Sequence, residues 1–250
     1  MKKMTILLVV FLLNIVPINV LAKENDTAEI RKQITSMYQN DPEYQRNLAE
    51  DPDSAKELLE NAVSKEIALS LMLRSGDQSN AFCTVPDVWQ LPNQCGAASA
   101  YQAIAGAGYT QNINGNSESL KIAQLWSEVN ENNQSSVVYK IVNSLNRYIP
   151  NGGYTYAAGA GHDVSWFETR TAASLVSNHP VILHALTEHI QYYGGHSSRH
   201  YICVSRCNRN NGTVTAVDCN NNSKYHGTHT ISSGEAYKSI SASGRYLIYG

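Results

Sequence analysis

Charge is spread unevenly along this chain, and the step in its density divides the 250 residues into parts that must fold differently. Residues 23–80 carry 7 Lys/Arg and 12 Asp/Glu in 58 positions, whereas residues 81–250 carry 10 and 9 in 170. The dense part reads as helix. Ile30, Ile34 and Met37 recur on one face over about 26–39. Ser54, an N-cap with Glu57 three residues on, opens a second run through Leu58, Leu59, Val63, Ile67, Leu69 and Leu71 to Arg74, which Ser75-Gly76-Asp77 ends. The sparse part, with 17 Asn and 13 Tyr, suits an extracellular α+β domain rich in turns. The helical segment 23–80 fits either a decoration packed on domain 81–250 or a propeptide, an acidic cover removed after export.

Export is read from the first 22 residues. Lys2 and Lys3 precede an apolar run from Ile6 to Leu13, and small residues stand at Val20 and Ala22. Eight uninterrupted apolar residues fall far short of the ~20 of a spanning helix, and Asn14, Pro17 and Asn19 break the continuation. Residues 1–22 are therefore predicted to be a secretion signal cut after Ala22, with no stable membrane anchor. A net charge of −2 with no basic stripe excludes the electrostatic footprint of a nucleic-acid binder.

The five cysteines, 83, 95, 203, 207 and 219, all lie in the second part. In an oxidising setting four would close two disulfides in any of three connectivities, and one would stay free. No CxxC pair and no HExxH accompany the eight histidines, so neither a metal nor another cofactor is expected.

The segment around Cys95 indicates which thiol is free. Pro92 keeps the approach extended, and after Cys95 small residues with Ala98, Tyr101 and Ile104 at helical spacing run to Gly106 and Gly108. Cys95 then sits at a helix N-terminus, where unpaired N–H groups favour thiolate. Gly96 would let a substrate carbonyl approach the backbone. Gln90, with Gln94 as the alternative, can donate an amide N–H to an oxyanion alongside the Cys95 N–H. A thiolate needs a base and an orienting partner. Pro180-Val-Ile-Leu183 reads as a buried strand. His200-Tyr-Ile-Cys-Val204 and Thr213-Val-Thr-Ala-Val-Asp218, joined by a turn over Asn208–Gly212, read as a hairpin that brings His200 beside Asp218. His196, four residues before His200, is the competing base. His184, His189, His226 and His229 are read as surface or substrate-flanking.

Gln90-Leu-Pro-Asn-Gln-Cys95-Gly96-Ala-Ala, Pro180-Val-Ile, His200-Tyr-Ile-Cys-Val and Val214-Thr-Ala-Val-Asp218 together resemble, in order, the motifs of C39-like, papain-type cysteine peptidases. The resemblance spans about residues 85–249. It implies an α+β, papain-like fold with the Cys-bearing helix packed on an antiparallel sheet. It also implies Cys95 as nucleophile, His200 as base and acid, Asp218 as orienter and Gln90 as oxyanion donor. The family's Pro after Cys-Gly is Ala97 here, and its Pro after the Asp is Cys219, which suggests a disulfide at that corner. The chain has no transporter domain, so the double-glycine substrates of bacteriocin exporters are not carried over. The expected function is a secreted, monomeric cysteine peptidase acting on peptides or proteins, which favours the propeptide reading of 23–80. The alternatives are a cell-wall amidase or endopeptidase of related Cys-His chemistry, and a non-enzymatic exported protein with an inert site.

Overall fold

The computed structural model describes residues 26–72, 79–242 and 244–250. The predicted signal sequence and the Ser75-Gly76-Asp77 stop lie outside them. Helix α1 occupies residues 26–39, as the spacing predicts. Helices α2 (Pro42–Glu50) and α3 (Pro52–Met72) follow. Each begins with Asp-Pro: Asp41 Oδ1 accepts the Tyr44 N–H at 2.9 Å and Asp51 Oδ1 accepts the Ser54 N–H at 3.1 Å, while the proline sits in the first turn where its missing donor costs nothing. Helix α3 therefore starts before Ser54. Helix α2 escapes a periodicity search because it buries only Tyr44 and Asn47. Ala55, Leu58, Ala62 and Val63 bury one face of α3 almost completely, so this segment is part of the molecule's interior.

The second part is an antiparallel sheet between two helical layers. Its strands are β1 (Asn80–Phe82), β4 (Thr155–Ala158), β5 (Val181–Leu186), β6 (Arg199–Asn208), β7 (Thr213–Asp218), β8 (Gly227–Ser232) and β9 (Tyr246–Tyr249), in the order β4-β9-β5-β6-β7-β8 with β1 also on β6. A short hairpin of β2 (Asn130–Glu131) and β3 (Ser135–Ser136) stands apart. It turns through Asn132 and Asn133 at φ 52° and 56°, left-handed values that asparagine tolerates. One sheet face packs on α1 to α3, α4 (Cys95–Gly106), α5 (Glu118–Val129) and α6 (Val138–Tyr148). The other packs on α7 (Val164–Val176) and α8 (Ser233–Ser241). The architecture is mixed α/β with an antiparallel sheet and the Cys-bearing helix packed on it. No helix among the described residues is long and apolar enough to cross a membrane.

The predicted hairpin is β6–β7, with one irregularity: the register shifts between Val204 and Arg206. The extra residue, Ser205, turns the side chains beyond it over, so Cys203 enters the core under α4 while Cys207 enters the core under α7. Cys83 joins Cys207's side and Cys219 joins Cys203's. All five cysteines are free thiols, which corrects the expectation of two disulfides, including one at Cys219. Within the α4-side core, Cys203 pairs with Val217, leaving Cys219 on a diagonal two residues further along.

Candidate active site

Helix α4 starts where a tight turn ends. The Gln94 N–H donates to the Leu91 carbonyl at 3.0 Å, and Asn93 takes φ 67°. Gln94 is the N-cap residue but gives no side-chain cap, so the first N–H groups of α4 lack a capping acceptor beside the Cys95 sulfur. Gly96 is packed against β3: a Cβ there would overlap Ser136 and touch Ile141. Its close neighbour is thus Ser136, not a substrate carbonyl as the sequence suggests. The Ser99 hydroxyl, one turn on, donates to the Tyr201 carbonyl at 3.0 Å and pins α4 to β6 one residue past His200.

Register sets the other half. Cys203 pairs with Val217, so Asp218 lies across from Ile202 on the face that His200 shares, a diagonal relation that lets the two side chains meet. His200 Nε2 is 2.7 Å from Asp218 Oδ1, both residues being buried. With Nε2 engaged, Nδ1 is the ring nitrogen left for Cys95, and the imidazole favours the thiolate there. Asp218 is saturated. Its Oδ2 accepts the hydroxyls of Tyr192 at 2.8 Å and Tyr193 at 2.6 Å, and its Oδ1 also accepts the Asn220 N–H at 2.9 Å.

Electrostatics follow from that geometry. Burial opposes a charged Cys95, but hydrogen bonding and charge from His200, with backbone N–H groups of Tyr201 and Gly96, outweigh it and bring the thiol below its ordinary value. Burial likewise opposes the imidazolium of His200, yet the Asp218 carboxylate and the Cys95 thiolate lift it above the ordinary range. Asp218 is held low against its own burial by His200 and the two tyrosines. The other cysteines go the opposite way: burial pushes Cys83 and Cys207 up to about 12, and Cys203 and Cys219 well above the ordinary thiol value.

Gln90 is tied to this corner through Cys219. The Gln90 N–H donates to the Cys219 carbonyl at 2.8 Å, and the Cys219 thiol reaches Gln90 Oε1 at 3.5 Å while lying 3.7 Å from the Cys95 carbonyl. With Oε1 accepting, the amide Nε2 remains to donate elsewhere. Gln94, the alternative, has its Oε1 buried without a partner. His196 is exposed and stacks on Tyr225, away from the trio. His184, by contrast, stacks on Tyr201 and faces the cleft. Tyr192, Tyr193, Asn220 and Ser136 carry no sequence signal, because each acts through a fold contact with a residue distant in the chain. Among the described residues, His200, Asp218 and Cys219 bring donor atoms within 4.8 Å of one another, but the first two are spent on each other and the Cys219 thiol is held protonated.

A cavity of about 440 Å³ opens beside Cys95. Its walls come from α2 (Pro42, Glu43, Arg46), the β2–β3 hairpin and the β5, β6 and β9 strands. Arg46 grips Glu131 with both guanidinium nitrogens, tying α2 to the hairpin across it.

No family model matches the chain, and no curated protein does. Among solved structures, it is similar to the prointerpain A fragment of Prevotella intermedia at 13% identity, over 80% of this chain and 85% of that one, with a TM-score of 0.46.

Proposed function

We propose that the chain is an exported cysteine peptidase of papain-like fold that hydrolyses peptide bonds through Cys95, His200 and Asp218. The observation that carries this is the buried His200–Asp218 pair, 2.7 Å apart, with a Cys95 thiol shifted down at a helix N-terminus and the imidazole shifted up by a saturated carboxylate. A buried structural cysteine gains nothing from such surroundings, as the four raised thiols illustrate.

In this reading the Cys95 thiolate attacks the scissile carbonyl carbon. The Cys95 N–H and the Gln90 amide stabilise the oxyanion, which in other enzymes is worth ~10²–10³ in rate per donor. His200 passes a proton to the leaving amine, releasing the first product and leaving a thioester. Water, deprotonated by His200, then attacks the thioester and frees Cys95. Asp218 stays ionised and fixes the ring so that Nδ1 faces sulfur. Cys219 takes the place of the expected proline by holding Gln90 through its thiol. Residues 23–80 act as a cover that is removed after export, α2 supplying part of the cavity wall at Cys95.

The test is intact mass of the secreted protein after brief iodoacetamide treatment, with peptide mapping and a casein hydrolysis assay. One rapid adduct on Cys95 with protein hydrolysis that Cys95→Ala abolishes supports the proposal. Labelling spread over several cysteines, or hydrolysis surviving in Cys95→Ala, refutes it. N-terminal sequencing of the active form tests the cover: an intact Lys23–Asn80 segment on fully active protein defeats it.

A further inference from the structure

Among the described residues, Arg31, Arg46, Arg147 and Arg170 each face a carboxylate within 4 Å, whereas Arg199, Arg206, Arg209 and Arg245 do not. Of these four, Arg199 and Arg245 stand in the wall of the Cys95 cavity. Arg245 is only 7% exposed and its Nε has no hydrogen-bond partner; its one bond from Nη1 goes to the neighbouring Gly244 carbonyl. Arg199 stands at the start of β6, next to His200, with no ion pair. His184 lies between the two walls, stacked on Tyr201 and Tyr246 at 4.6 and 6.0 Å between ring centres, and its Nδ1 is also buried without a partner.

A buried guanidinium without a counter-charge is costly, and it persists where a binding partner supplies the charge. The other charged groups of the cavity do not supply it. Arg46 and Glu131 neutralise each other. Glu43 lies outside ion-pair reach of either arginine, and its Oε2 is buried without a partner. Burial raises its carboxyl toward the neutral form. Burial, with Arg245 and Arg199 nearby, drives His184 down to about 3, so it stays a neutral hydrogen-bonding group. Arg46 thus has its carboxylates, whereas Arg245 and Arg199 face none within ion-pair distance.

We infer that the cavity beside Cys95 is a subsite for an acidic side chain of the bound peptide, an aspartate or glutamate near the scissile bond, gripped by Arg245 and Arg199. This rests on the peptidase reading and adds a substrate class to it. The Arg245 guanidinium, whose Nε lacks a protein partner, supplies buried charge in the wall, and Arg199 adds charge at the rim. The Tyr201 and Tyr246 rings give the stem of the side chain an apolar wall.

The experiment uses the full chain carrying Cys95→Ala, so that nothing is turned over. Acetylated, C-terminally amidated fluorescent hexapeptides in which Glu, Gln or Lys is scanned through each position are titrated by fluorescence polarisation. The expected result is a position at which Glu binds about tenfold more tightly than Gln, with Lys weaker still. That preference should vanish in Arg245→Gln and fall severalfold in Arg199→Gln. Arg245 is buried, so its variant is accepted only with an unchanged circular dichroism spectrum and melting profile; Arg199 is exposed and supplies the independent check. Equal affinity for Glu and Gln at every position overturns the inference, and so does a Glu preference that persists unchanged in Arg245→Gln and Arg199→Gln. Failure of the peptidase reading is separable: acidic peptides that bind Cys95→Ala but are not cut by the wild-type protein leave the subsite standing and remove the catalysis.

Discussion

Two sides of one cleft treat polar atoms in opposite ways. At the Cys95 corner every acceptor of the buried carboxylate is occupied: Asp218 takes four donors from His200, Tyr192, Tyr193 and Asn220. Across the cavity, Arg245 Nε, His184 Nδ1 and Glu43 Oε2 are buried and unpartnered. A saturated network holds its members in one geometry before any ligand arrives, which suits chemistry. An unsaturated wall keeps its free energy of pairing for the ligand, which suits selection.

The contrast breaks most completely at sulfur. Cys95→Ala is expected to reduce peptide hydrolysis to background while leaving the melting temperature close to wild type, measured by fluorogenic assay and differential scanning calorimetry. Asp218→Asn removes the charge that lifts His200 and leaves an amide among donors. A loss of about 10³-fold or more in kcat/KM is expected, by analogy with the same change in other triads, with a lower melting temperature.

Titration sharpens the comparison. Cys95 is shifted down and His200 up, so the thiolate–imidazolium pair exists between the two values, bounded below by protonation of sulfur and above by deprotonation of the ring. Cys95 alkylation by iodoacetamide is expected to persist to lower pH than that of an ordinary thiol, whose pKa is about 8.5. In Asp218→Asn the alkaline boundary should move down. An alkylation profile with a single midpoint near that of a free thiol contradicts the pairing.

Smaller effects probe the supports. Gly96→Ala forces a methyl into Ser136 and is expected to cost about 1–3 kcal/mol of stability as overpacking, read from denaturant midpoints. Tyr192→Phe and Tyr193→Phe each remove one hydrogen bond to a charged acceptor, worth about 1.5–3 kcal/mol. Each leaves Asp218 ionised, so the alkaline boundary of the pH profile should hold or rise, in contrast to its fall in Asp218→Asn.

The trio's neighbourhood is legible in sequence because each piece is local. The helix after Cys95 is a run of small residues closed by glycine, and the strands of His200 and Asp218 alternate around an Asn-rich turn. The cavity wall is not legible, since α2, the β2–β3 hairpin, β5 and β9 meet only through the sheet order. Arg245 reads as an ordinary charged residue before a strand until Tyr246 is placed beside His184. Helix α2 is hidden because its signal is the Asp41-Pro42 start, not an apolar stripe. The disulfide expectation fails for a related reason: counting cysteines ignores the inserted residue at Ser205, which sends Cys203 and Cys207 to opposite sides of one strand.

The sheet order also carries a timetable. β9 is the last strand in the chain, yet it lies between β4 and β5, pairing Tyr156 with Ile248 on one side and Ile182 with Ile248 on the other. During synthesis from N- to C-terminus, β5, β6, β7 and β8 can zip together as they emerge, but β4 must wait without its partner. The wall that carries Arg245 forms in that same last step, so the pocket beside the sulfur can be completed only after the hairpin bearing His200 and Asp218 has emerged.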